Sequence, residues 1–560
     1  MTTTAAPSPI VVAASHFSAG RLDEAERGCA AILGSKPRHF DALQLLGIIR
    51  CRRGDLPGGL RCFDAALAVD PASHDALVNR GNALLSMGRF DEALASFDRA
   101  TASQPATPDL LNSRGNVLLA MGRYEEALGN FESALSGRPQ HAGLLKNRGN
   151  AQAALGRFEA ALASYDEALR LQPADVGTWN NRGNVMRAMG RADEALASYD
   201  RAAAIQPLHV ETLTNRGIAL HALQRLDDAI AGYGQALAIH PGHAAAHWNL
   251  ALALLAKNDF ARGWREYEWR WQLPSRYRLP DYPAPRWTGK EDVRGKTVLL
   301  HAEQGLGDTL QFCRYADAMV ARGARVILQV DRPLVRLLST LDGISLVAGL
   351  DEALPPFDFH IPMLSLPLAL ATTPETIPVR IPYLRADPKD VATWEARLGA
   401  RRMPRIGLAW AGNPSQAKDR DRSMPLASLA SLLALPVQFV SLQKEMRDAD
   451  AAELARHAGL LHFGPELGDF ADTAALAQCC DLVIAVNSSV AHLAGAIGKP
   501  VWIPLPFAPD WRFVVGRDDS AWYPTAKLFW QSRPGEWGEV VGRMVMELNE
   551  RRTGDLGLGT

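Results

Sequence analysis

Proline recurs every 34 residues through the first half of this 560-residue chain, at Pro37, Pro71, Pro105, Pro139, Pro173, Pro207 and Pro241. A fixed period of this length means one supersecondary unit stacked on copies of itself. Three more kinds of position keep the same step. Small residues recur at Gly47, Gly81, Gly115, Gly149, Gly183 and Gly217, and again at Ala93, Ala127, Ala161, Ala195 and Ala229. A second glycine set runs Gly20, Gly54, Gly88, Gly122, Gly156 and Gly190. Aromatics fill Phe63, Phe97, Phe131, Tyr165, Tyr199, Tyr233 and Tyr267. Small residues let two helices cross closely. The second glycine suits the end of a first helix, where positive φ is wanted. The proline follows a second helix, which it cannot continue. The aromatic is expected to fill the groove between repeats.

These positions together resemble the tetratricopeptide repeat. About seven repeats run from residue 6 to 243, and a last helix pair at 244–272 carries Trp264, Trp269 and Trp271 as a cap that docks the array onto the C-terminal half. The all-α array is thus expected over 6–272, a superhelix whose concave surface binds a protein. One face of its first helices carries amides: Asn79, Asn147, Asn181, Asn215 and Asn249 in one register, Asn82, Asn116, Asn150 and Asn184 three residues later. Residues i and i+3 share a helix face, and an amide both donates to and accepts from a peptide backbone. The array resembles the asparagine ladder of O-GlcNAc transferase, which holds an extended protein acceptor. The other reading is that the amides bond locally between helices. The arginines between them (Arg80, Arg114, Arg148, Arg182) are expected to pair with acids of their own repeat, Asp98, Glu132, Asp166 and Asp200.

Sixty Lys and Arg against 61 Asp and Glu leave a net charge of −1, so no basic excess drives nucleic-acid binding. No apolar run reaches membrane-spanning length, and the start, MTTTAAPSPIVVAASHF, lacks a basic signal-peptide region. Six sparse cysteines without a C-x-x-C pair read as buried thiols of a cytoplasmic protein.

The pattern changes after a Pro- and Tyr-rich linker at 273–296. Strand-like runs at 297–303, 324–330, 405–412, 437–443, 481–486 and 499–505 alternate with helical stretches. That alternation predicts two Rossmann-like α/β lobes, 297–403 and 404–548, with a tail at 549–560. In such sheets ligands bind beyond the carboxyl ends of the strands. Three motifs fall there. Gln304-Gly305-Leu306-Gly307-Asp308 follows the first strand, and its glycines are expected to expose N–H groups to an anion. Asp308 is either a helix cap or a placed base. Asn487-Ser488-Ser489-Val490-Ala491-His492 puts hydroxyls, an amide and a histidine at a helix start that favours phosphate. The loop from Asn413 to Ser423 brings Lys418, Arg420 and Arg422, and Gln443-Lys444 end another strand. Asp419–Asp421 and Asp448–Asp450 match D-x-D, as chance allows among 61 acids, and no metal is expected.

HAEQGLGD, GLAWAGNP, DLVIAVNSSVAHLAGAIGKPVW and PFAPDW together resemble GT-B glycosyltransferases of the family 9 heptosyltransferase type. With a tetratricopeptide array attached, the layout is similar to O-GlcNAc transferase and to bacterial flagellin glycosyltransferases. The resemblance implies an inverting, metal-independent enzyme without a resident cofactor. It would transfer a sugar from a nucleotide-sugar donor to Ser or Thr of a protein, possibly flagellin in kind. It makes Asp308 the base. Gly305, Gly307, Asn413, Arg422, Gln443, Lys444, Asn487, Ser488, Ser489 and His492 would hold the donor. Relatives usually carry Asp where Asn487 stands. A lipopolysaccharide or glycan transferase that uses the array for assembly, and a non-catalytic scaffold, are the alternatives.

Overall fold

The structure is a computed structural model that describes residues 8–274, 278–415, 419–508 and 510–553. The ends of the expected array and tail, part of the linker and Lys418 lie outside them. The chain divides into two units, Met1–Pro207 and Leu208–Thr560.

The first unit is all helical: six hairpins, from Pro9–Ser18 with Leu22–Ser35 to Val176–Ala188 with Ala192–Ile205. The periodic residues explain each one. The second glycine set takes φ between 71° and 84°, which ends the first helix of each pair. The first set clears room for the ring of its own repeat: a Cβ on Gly149 would meet Tyr165 Cε1 at 2.5 Å. The aromatic therefore packs inside its hairpin against glycine, not in the groove between repeats as expected. A further periodic set escapes the sequence reading. His39, Ser73, Thr107, His141 and Asp175 each cap the following helix, their side chains accepting a backbone N–H at 3.1–3.3 Å. His209 and His243 continue the set in the second unit.

The arginines correct another expectation. Arg80, Arg114 and Arg182 donate to Asp64, Asp98 and Asp166, acids of the preceding repeat, at 2.7–2.8 Å. They stitch one hairpin to the last. Arg148 instead bonds Ser164 at 2.9 Å and pairs with Glu167 at 3.4 Å.

The second unit opens with two more hairpins, Val210–Ala222 with Leu226–Ile239 and Ala244–Ala256 with Phe260–Tyr267. The boundary thus falls inside the repeats rather than at residue 272. The reason lies in their contacts. Trp264 is buried and meets Trp511 and Phe312 edge-on, at ring distances of 5.2 and 6.1 Å. Gln224, which takes the glycine's place at φ 59°, donates to the Phe507 carbonyl. Trp264 docks as a cap should. Trp269 stacks on His247 at 3.8 Å, and Trp271 lies under Arg270.

Two parallel sheets complete the unit. In the first, β1 (Thr297–His301), β2 (Arg325–Val330), β3 (Ile344–Gly349) and β4 (Phe359–Pro362) lie in the order β3-β2-β1-β4. In the second, β5 (Arg405–Ala409), β6 (Gln438–Ser441), β7 (Leu460–His462), β8 (Leu482–Ala485), β9 (Val501–Leu505) and β10 (Ala526–Trp530) lie in the order β10-β9-β8-β5-β6-β7. That second order is the doubly wound one, with its reversal between β5 and β8. Central strands β5, β8 and β9 are buried on every residue, as helices on both faces require. The helix expected after the GLGD turn is broken into Leu306–Phe312, a 3-10 turn at Cys313–Tyr315 and Ala316–Ala321. The last helix, Trp537–Thr553, runs into the expected tail. Among the described residues no helix is long and apolar enough to cross a membrane. Five cysteines are buried and Cys51 is half-buried, all as free thiols.

Candidate functional site

Both sheets reverse strand order beside a motif. In the first, β1 and β4 flank the reversal, and Gln304–Asp308 leave the end of β1. In the second, Ala411–Asn413 leave β5 and Asn487–Ser489 leave β8. A crevice at such a reversal is where ligands of these sheets bind.

The two sets of loops meet. Helix Leu306–Phe312 packs on helix Ser489–Ala496, and Gly307 is the point of closest approach. A Cβ there would stand 3.0 Å from His492 Cδ2 and 3.4 Å from the Ser489 Cα. Asp308 sits in the first turn. Its Oδ2 accepts the Gly305 N–H at 2.9 Å, so that amide is engaged rather than open to an anion as expected. Its Oδ1 takes a hydrogen bond from Arg512, which also donates to Asp510 at 2.7 Å and to Gln311. Burial pushes the Asp308 carboxyl above its ordinary value, and the neighbouring Arg512 opposes that shift. The cap and the poised acid are thus the same residue. His492 is buried, and its Nδ1 lies 2.9 Å from the Tyr523 hydroxyl. Burial first, and Arg512 next, push it down to about 3, so it is a neutral imidazole at physiological pH.

On the second sheet, Arg422 donates from Nη1 to the Asn487 carbonyl at 3.1 Å and from Nε to Asp419 at 3.3 Å. Gly412 makes this possible, since a Cβ would lie 2.6 Å from Arg422 Nη2. Gln443 accepts the Ala411 N–H at 3.2 Å. Ser488 caps the histidine helix, and its buried Oγ has no hydrogen-bond partner. Most buried polar atoms are satisfied, so this hydroxyl is the atom of the site most in want of one. Arg422 acts electrostatically on both Asp308 and His492, so these groups form one cluster.

Two expected members stand apart. Asn413 closes its own turn, accepting from Ser415 N–H at 2.9 Å and Oγ at 2.8 Å. Lys444 donates to the Gly468 carbonyl at 2.9 Å on an exposed edge. The D-x-D acids are engaged inside the lobe: Asp419 by Arg422, Arg447 and Ser423, Asp450 by the Trp410 indole and the Leu426 N–H. Among the described residues no three His, Cys, Asp or Glu gather as a metal set. Sequence reasoning misses Arg512, Asp510, Gln311 and Tyr523. Arg512 follows PFAPDW directly, but nothing near it in sequence says that it reaches a residue 204 positions earlier.

The cap holds the same loop from behind. Arg270 has no exposure and pairs with Glu303 at 2.8 Å, and Glu268 at 2.8 Å and the Ser365 hydroxyl at 2.7 Å complete its shell. Tyr267 exchanges hydrogen bonds with Gln304, the closest at 3.0 Å. Glu303 and Gln304 immediately precede the Gly305–Asp308 turn.

The expected amide ladder is occupied along the array. Asn147 donates to Asn112 at 2.8 Å and Asn116 at 3.1 Å, and Asn181 donates to Asn150 at 2.9 Å. Tyr165 and Tyr199 donate to Asn150 and Asn184 at 2.9 and 2.8 Å. Asn79 donates to Gln44 at 3.1 Å, Asn249 bonds its own helix at Ala245, and Asn82 is exposed. The amides bond locally between helices.

Comparison with known proteins identifies the repeats. Tetratricopeptide-repeat family models match residues 45–109, 112–176 and 225–267, and a second such model matches 176–241. The chain is 30% identical over 326 residues to Protein FlbA of Caulobacter vibrioides, covering 54% of each. It thus spans about half the length of that curated relative. Among solved structures, it is similar to a tetratricopeptide repeat protein from Parabacteroides merdae at 18% identity, TM-score 0.38, covering 44% of this chain and 97% of that one. A thermophilic repeat protein of Thermus thermophilus is similar at 28% identity, TM-score 0.30, covering 33% of this chain and all of that one.

Proposed function

We propose that the chain is an inverting, metal-independent protein O-glycosyltransferase of GT-B type. The tetratricopeptide array recruits a protein, and the two parallel sheets move a sugar from a nucleotide donor to its Ser or Thr, with a flagellin-like acceptor the first to try. The observation that carries the reading is the meeting of the two strand-order reversals at Gly307 and His492, with Asp308 beside them. A substrate in that crevice would touch an acid and a phosphate-favouring helix start together.

The chemistry divides between the sheets. The acceptor oxygen attacks the anomeric carbon on the face opposite the nucleotide. The bond from that carbon to the phosphate oxygen breaks, the electron pair leaves with the nucleotide, and the hydroxyl proton passes to Asp308. A carboxyl held above its ordinary value is a better base than a free aspartate, and such catalysis contributes about 10²–10⁴-fold. Arg422, the open Ser488 hydroxyl and the start of helix Ser489–Ala496 would meet the leaving phosphate. Donors of this kind aimed at developing charge are often worth several kcal/mol. Neutral His492 keeps Tyr523 and Gly307 in register.

Asp308→Asn tests this. Transfer should fall by about 10²–10⁴-fold while donor binding persists. Because the carboxyl is raised, the acid limb of the wild-type rate should lie above the ordinary aspartate range. Unchanged transfer by the variant removes Asp308 as the base. Absence of thermal stabilisation by UDP-, GDP-, ADP-, dTDP- and CMP-linked sugars would favour a scaffold instead. For that alternative, the pairing of both Asp308 oxygens with Gly305 and Arg512 is the supporting observation.

A further inference from the structure

The largest groove of the first unit lies where the amide pattern stops. It has a volume of about 410 Å³ and is bounded by Pro9–Ser18, Phe40–Arg52 and His74–Ser86. One period before Asn79 and Asn82 stand Leu45 and Ile48, and one period earlier again stand Val11 and Ala14. The first two hairpins therefore carry apolar side chains at both positions where later hairpins carry mostly amides. Ile10, Ala14, Leu45 and Ile48 line the groove, and none of them is fully buried. Val11 beside them is 56% exposed.

The charge on the rim is one-sided. Asp41 and Asp75 are the charged residues of the lining, and both are exposed. They too belong to a 34-residue series that continues to Asp109 and then becomes Gly143 and Gly177. Asp109 has a cation of its own, Arg138, at 2.7 Å. No ion pair is found for Asp41 or Asp75 among the described residues. The Gln44–Asn79 hydrogen bond, 3.1 Å, crosses the floor and joins the two hairpins there.

We propose that this groove takes an extended segment of the partner protein in which apolar side chains alternate with lysine or arginine. The apolar residues enter between the helices and the cations face Asp41 and Asp75. A volume near the low end of the roughly 300–1,000 Å³ of small-ligand sites admits a few side chains rather than a domain. Apolar burial supplies the affinity, and the two carboxylates select sign and direction. The proposal rests on the array being the recruiting surface. It does not need the transfer chemistry, and the test keeps the two apart.

The probe is a short fluorescein-labelled peptide of alternating Leu and Lys, followed by anisotropy with the full chain and no nucleotide sugar. Binding should weaken as salt rises, and a Leu/Glu counterpart should bind at least about tenfold more weakly. Asp41→Asn with Asp75→Asn should weaken the Leu/Lys peptide about fivefold, since each exposed pairing is worth a fraction of a kcal/mol to about one. Leu45→Asn with Ile48→Asn, which extends the amide pattern into the groove, should weaken it further. Asn147→Ala with Asn181→Ala, and Asp308→Asn, should leave it unchanged. Equal binding of the Leu/Glu peptide overturns the proposal. So does undiminished binding by the Asp41/Asp75 variant, whose exposed positions leave folding intact as checked by circular dichroism.

Discussion

The joint between repeats and the joint between the cap and the first sheet both rest on an arginine, and they are built in opposite ways. Arg182 bonds Asp166 of the preceding repeat at 2.7 Å, with the acid 56% exposed. Arg270 has no exposure, and its partner Glu303 is 3% exposed. The first joint is repeated, shallow and local in sequence. The second occurs once, buries its charges and joins residues 33 apart beside the catalytic turn. An exposed pair can be lost cheaply because water replaces the partner. A buried one cannot, because the remaining charge has nowhere to go.

Replacing one partner at each joint sharpens the contrast most. Arg270→Met should cost about 3–5 kcal/mol in urea unfolding, since Glu303 stays behind uncompensated. A loss under about 1 kcal/mol would mean that water enters and the joint is no different from those of the array.

Acid is the second way in. Burial holds His301 and His492, both in the second unit, down to about 3 from an ordinary 6.5. The folded form prefers them neutral, so their contribution is complete above pH 6.5 and drains as pH falls toward 3. Each adds a slope of about 1.4 kcal/mol per pH unit through that window. His492→Gln should flatten the fall between pH 6.5 and 4, read as unfolding midpoints. An unaltered slope would show the imidazole protonates freely in the fold.

Packing comes third. Gly149→Ala pushes a Cβ to 2.5 Å from the Tyr165 ring and should cost about 1–3 kcal/mol, whereas Gly190→Ala, with open space around it, pays only for φ 78°, about 1 kcal/mol. Equal losses in thermal unfolding would mean the hairpins relax around the added methyl. Smallest is Arg182→Met, expected below about 1 kcal/mol, and a larger loss would remove the contrast drawn above.

Legibility followed the same division. A period of 34 exposes every residue that does a repeated task, so Gly149, Gly190 and Trp264 could be assigned from sequence. What the period could not give was direction. The acids lie in register with both neighbours, and only the fold shows that Arg114 turns back to Asp98 rather than on to Glu132. In the α/β half the strands with continuous apolar runs were readable, while β3, β4, β7 and β10 were not. β3 exposes two of its residues and β7 has only three. Asp308, Ser488 and His492 were found because each stands at a strand end inside a motif. Arg512 was not, because tertiary folding alone joins it to Asp308.

The uniform stitch has an outcome for how such a chain can change. Each interior hairpin offers its neighbour nearly the same glycine, ring, helix cap and arginine. A duplication or loss of one whole unit would therefore create no unfamiliar junction, and the reach of the array can be lengthened or shortened in 34-residue steps. Nothing comparable is open to the hairpin that carries Trp264 and leads into Arg270. It is the fixed end from which any such growth must start.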